Sequence, residues 1–119
     1  MTYDVVALTH EPPDARTLLD ALRAEGSGLQ VDAPGHGNVL QVLDEDGGPL
    51  LAVEASIPIR VEGEAERLLG PVAAGLPAPV WWTEVRAAER PAAVELADAF
   101  ADALIERLGG RRWSSERPE

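Results

Sequence analysis

Residues Tyr3 to Thr9 read YDVVALT, with apolar side chains at both parities. Successive side chains of a strand point to opposite faces. Val5 and Ala7 therefore lie on one face, and Val6 and Leu8 on the other. A strand of this kind belongs inside a sheet and has to be covered on both sides. That requirement limits the chain to folds with a central sheet and enough other elements to bury it.

The 119 residues suffice for one domain, and 45% of them are apolar, so a core is available. Punctuation by Pro, Gly and Asp divides the chain. Pro12 and Pro13 suit the first turn of a helix that runs to about Glu25, with Asp14 near its positive end. Strands follow at Leu29–Asp32, Val39–Leu43 and Leu50–Glu54, the last two joined by the Asp44–Pro49 hairpin loop. Ile57–Val61 alternates, with Ile57, Ile59 and Val61 inward and Pro58 and Arg60 outward, and Pro58 within it marks an edge strand or a bulged continuation of the preceding strand. A short helix over Glu62–Leu69 leads to a Pro/Gly-rich loop, 70–79, apolar enough to pack on the body. A strand carrying Trp81 and Trp82 comes next. The longest helix opens at Glu89-Arg90-Pro91 and stops at Gly109-Gly110. Its apolar stripe is Ala93, Leu96, Ala97, Phe100, Leu104 and Leu108.

The order β-α-β-β-β-α-β-α contains a split βαβ pattern. It predicts an α+β fold, a two-layer sandwich with a mostly antiparallel sheet of four to six strands and helices on one face. Residues 1–110 form the single domain in this reading, and 111–119 a polar C-terminal tail.

Composition removes several function classes. Cysteine is absent, which excludes disulfides, thiolate catalysis and Cys-ligated zinc or iron–sulfur sites, and suits a cytoplasmic protein. The formal net charge is −11, with arginine as the only basic residue besides two histidines. Nucleic acid and anionic membrane surfaces are poor partners for such a chain. The N-terminus lacks the basic and apolar regions of a signal peptide, and no run approaches the ~18 apolar residues of a membrane span, so membrane insertion is not expected.

Candidate chemistry is sparse. His10, Glu11 and Asp14 could form a base, an orienting acid and a polar neighbour at a strand end, a low-specificity pocket; capping and solvation explain them as well. His36 sits between glycines in a turn, and the two histidines make no metal site by themselves. Asp44-Glu45-Asp46-Gly47 superficially resembles a calcium loop, but its fifth position is Gly48 and its twelfth Ala55, which supply no ligand side chain. Walker, GxGxxG, GxSxG and HExxH motifs are absent. No cofactor, metal or catalytic set is assigned, and a non-enzymatic role is the favoured reading.

Two surfaces suit a partner. Glu95, Asp98, Asp102 and Glu106 share one stripe of the last helix, opposite its apolar side, and a basic partner could read them. In the strand after Pro79, alternation separates the adjacent tryptophans. Trp81, Thr83, Val85 and Ala87 form the core face, while Trp82 shares the other face with Glu84 and Arg86. A large ring there is either an interface anchor, most simply for a second copy of the chain, or is covered by the 70–79 loop or by Trp113.

The segments DVVALTHEPPDARTLLDAL, VEASIPIRVEGEAERLLGP and PVWWTEVRA together resemble the N-terminal region of an uncharacterised actinobacterial family, most abundant in Streptomyces-like bacteria. The similarity extends to about Trp113. Family members continue through a linker into a second domain, whose activity does not carry over to this segment. The resemblance implies an accessory or chaperone-like role beside type VII secretion.

Overall fold

A computed structural model describes residues 3–26, 28–33 and 39–116. The chain forms an α+β sandwich around one antiparallel sheet. Its elements are β1 (Tyr3–Thr9), α1 (Ala15–Arg23), β2 (Gln30–Asp32), β3 (Val39–Leu43), β4 (Pro49–Glu54), β5 (Ile57–Ile59), α2 (Glu64–Leu69), a 3₁₀ turn (Pro71–Ala73), β6 (Val80–Ala87), α3 (Pro91–Leu108) and β7 (Gly110–Ser114).

The strand order is β2-β3-β4-β6-β1-β7, and β5 pairs with the start of β6. β1 is central, with β6 and β7 antiparallel on its two sides. β6 and β7 are therefore parallel to each other, joined by α3 with β1 between them. This is a split βαβ unit, built with the C-terminal strand rather than from the first two strands.

β4 and β5 behave as one bulged strand. Val53 lies opposite Val85, and Ile57 opposite Trp82, so four steps on one side match three on the other. The Ser56 and Thr83 hydroxyls meet at 2.6 Å beside this bulge. Both readings of Ile57-Pro58-Ile59 apply: past the bulge it continues the line of the preceding strand, and among the described residues β6 is its only partner, which leaves it an edge segment.

Both faces of β1 are buried. On one, Tyr3, Val5 and Ala7 pack with Val85, Ala87, Leu51 and Val53 against α1 and α3. Ala93, Ala97 and Ala101 are fully buried on α3; side chains this small let the helix backbone approach the sheet. On the other, Val6, Leu8 and Val80 pack against Ala65 of α2 and Ala73 and Leu76 of the following loop. The expectation of helices on a single face holds for α1 and α3, while α2 lies on the opposite face. A central strand that is apolar at both parities requires that second cover.

Two local expectations change. The prolines do not enter α1. Asp14 is its N-cap, in extended conformation, and accepts hydrogen bonds from the Thr17 backbone N–H at 2.8 Å and the Thr17 hydroxyl at 2.7 Å. The segment 111–116 is not a free tail, since Gly110–Ser114 pairs with β1 along its length. Gly110 is required at the entry, because a β-carbon there would overlap the Leu8 carbonyl oxygen. Further along, Arg112 donates to Asp102 at 2.9 Å and lies 3.7 Å from Asp98. Asp98, only 8% exposed, also accepts from the buried Tyr3 hydroxyl at 2.6 Å. This network ties β7, α3 and β1 together. Tyr3→Phe removes a donor from a buried carboxylate and should cost about 1–3 kcal/mol in denaturant unfolding. A loss under about 0.5 kcal/mol, the usual value of a surface change, would show that the bond carries no stability.

Three surface carboxylates are held below their ordinary range. The Thr17 amide does this for Asp14, the Gly48 amide and then Arg90 for Asp44, and Arg67 for Glu64. Arg90 reaches Asp44 at 3.0 Å and so fastens the β3–β4 hairpin to the start of α3. A depressed folded-state pKa stabilises the fold fully above about pH 4 and is lost as pH falls through the lower folded value. Melting temperature should therefore fall with acidification below about pH 4, and fall less in Asp44→Asn than in the parent chain. Identical acid profiles for the two proteins would contradict this assignment.

Candidate functional site

Alternation puts Trp82 where the sequence indicates, on the face opposite α1 and α3. Across the sheet it is flanked by Ile57 on β5 and Leu8 on β1. The next row carries Glu84, Val6 and Trp113, and the one after it Ala52, Arg86 and Asp4. This face is thus apolar at one end and charged at the other.

α2 and the loop after it cover the apolar end. Arg111, on β7, donates to the Val72 carbonyl at 3.1 Å and also to that of Ala74, which holds the 3₁₀ turn over Leu8. Trp82 and Trp113 are each half-buried against the resulting cluster. The chain therefore covers part of the Trp82 ring, which packs against the cluster that Ala65 of α2 and Ala73 and Leu76 of the 70–79 loop complete. The cover ends there. Ile57, directly opposite Trp82, is 53% exposed. Alternation groups Ile57 with Ile59 and Val61 on the inward side; the bulge and the limited reach of α2 leave it open. Val61 itself lies beyond β5 and is exposed.

Glu84 and Arg86 border this strip. Arg86 pairs with Glu84 at 3.1 Å and lies 3.7 Å from Glu54. Glu84, then Glu54, raise the guanidinium pKa above its ordinary value. The open half of the face thus presents both signs of charge beside apolar rings. Trp81 has the opposite parity, across from Thr9 and Pro58, and is half-buried.

The other candidate residues are dispersed or already engaged. His10 and Glu11 are exposed at the end of β1, and Asp14 is occupied as the helix cap. Thr9 donates to the Glu11 carbonyl at 2.8 Å, and the His10 amide to that of Gly109 at 3.2 Å. His36 lies outside the described residues. On α3 the acidic stripe is not a uniform exposed face. Glu95 and Glu106 are exposed, whereas Asp98 is buried and shares Arg112 with Asp102. Asp98 sits at the margin between the polar and apolar sides of the helix, and β7 closes over it.

Surface concavities lie elsewhere. One of about 210 Å³ sits between α2, the 73–78 loop and the β5–β6 ends. An apolar trough of about 670 Å³ runs between α1 and the β2–β3 edge, with Leu19, Leu22, Val31 and Leu40 among its walls. Shallower hollows adjoin the β3–β4 hairpin. None of these four is lined by His10, Glu11 or Asp14. Among the described residues no group of three or more His, Asp or Glu side chains is arranged to hold a metal, and no helix is long and apolar enough to cross a membrane. Comparison with protein-family models, with curated proteins and with solved structures found no match.

Proposed function

We propose that this protein is a non-enzymatic interaction module that docks through the open part of its second sheet face, with a second copy of the chain as the simplest partner. The supporting observation is the cross-strand pair Ile57–Trp82: a half-buried ring beside an aliphatic side chain that is 53% exposed, at the point where the intramolecular cover stops. Half-covered aromatic anchors with an adjoining apolar residue are characteristic of interface centres. The Glu54–Arg86–Glu84 network beside them offers both charge signs. A twofold axis through such a patch can set the guanidinium of one copy against a carboxylate of the other. A cytoplasmic setting suits the cysteine-free sequence. The family resemblance adds an accessory role beside type VII secretion to this reading.

Ile57→Glu is the cleanest test, because the side chain is exposed and its loss leaves the second core intact. Trp82→Ala is a poorer probe, since the ring also packs on that core. Light scattering across a concentration series should show a dimer for the parent chain. Ile57→Glu should weaken it by about tenfold or more, with an unchanged melting temperature at concentrations where both proteins are monomeric. A parent protein that is monomeric throughout, or an Ile57→Glu variant that dimerises as before, would overturn the proposal.

A further inference from the structure

The concavity beneath α2 combines aliphatic walls with carboxylates at its rim. Ile59 and Val80 form its sheet side, Ala65 and Leu76 its walls, and Glu62 and Glu66 are exposed at its rim. Neither rim glutamate has a hydrogen bond or ion pair with another described side chain. The neighbouring Glu64, by contrast, is paired with Arg67. Aliphatic walls beneath two carboxylates without a partner among the described residues suit an aliphatic stem ending in a cation. Lysine and arginine side chains have this construction and bury the stem while the charged head stays at the surface. Size favours a single side chain, because about 210 Å³ is below the roughly 300–1,000 Å³ of pockets that enclose a whole small molecule.

We infer that this pocket receives one arginine or lysine side chain from a basic segment of another protein. The inference assigns a basic partner to α2 rather than to α3, where Arg112 already serves Asp98 and Asp102. It stands independently of dimerisation through Ile57 and Trp82, which line no part of the pocket. Arginine is the stronger occupant, since its planar head can bridge two carboxylates. Attraction between exposed charges also makes the contact salt-sensitive.

The test is a titration of the ¹⁵N-labelled full chain with the blocked peptide acetyl-Ala-Arg-Ala-amide, followed by amide chemical shifts. The matched peptide with citrulline in place of arginine keeps the shape and removes the charge. The arginine peptide should shift the amides of Glu62–Glu66 and of Leu76, Ala78 and Val80, with little response to citrulline and clear weakening at high salt. The double variant Glu62→Gln, Glu66→Gln should reduce the response about tenfold, whereas Glu95→Gln, Glu106→Gln should leave it unchanged. Equal responses to the two peptides, no shift around the pocket, or shifts spread evenly over the acidic surface would each overturn the inference. Because the readout is local, a failure here is distinct from a failure of the dimer in light scattering.

Discussion

The pairing of β1 with β6 on one side and β7 on the other is the constraint on which the structure depends. β1 has buried apolar side chains at both parities, so the sheet cannot leave its centre open on either face. The larger cover is α1 with α3, brought close by the alanines of α3. The smaller one is α2 with the 3₁₀ turn, anchored by Arg111 through backbone carbonyls. The chain reaches the second face because β5 continues β4 through a bulge and delivers the following residues to that side.

The same arrangement determines which part of the second face stays exposed. The smaller cover extends over Leu8 and part of Trp82, then stops. Beyond that line Ile57 is uncovered and the face becomes charged, with Arg86 between Glu54 and Glu84. The net charge of −11 is not spread uniformly. Arginines compensate the carboxylates that join elements, as Arg90 does for Asp44 and Arg112 for Asp98. Glu62 and Glu66 at the α2 pocket remain without such a partner among the described residues.

Much of this was legible in the sequence, for local reasons. YDVVALT has the bounds of β1, and VLQVL those of β3, because alternating or two-sided apolar runs bordered by turn residues carry their own assignment. Alternation also separates Trp81 from Trp82 correctly. The failures are non-local. GRRWS looks like a polar tail because Trp113 is its only large apolar residue, and what makes it a strand is the open edge of β1 and the carboxylate of Asp98. Asp98 looks solvent-facing by helical spacing, yet β7 closes over it. The exposure of Ile57 depends on a bulge and on how far α2 extends, and neither is written in the residues nearby. The α2 pocket likewise requires Glu62, Leu76 and Val80 to converge from separate segments.

The most direct measurement compares denaturant unfolding of Leu8→Ala with that of Leu104→Ala. Leu104 is fully buried in the main core, and Leu8 is fully buried under the smaller cover. If β1 is enclosed on both faces, each substitution should cost about 2–5 kcal/mol, the range for truncation of a buried leucine. A cost for Leu8→Ala below about 0.5 kcal/mol, the usual value at an exposed position, would contradict a sheet covered on both sides.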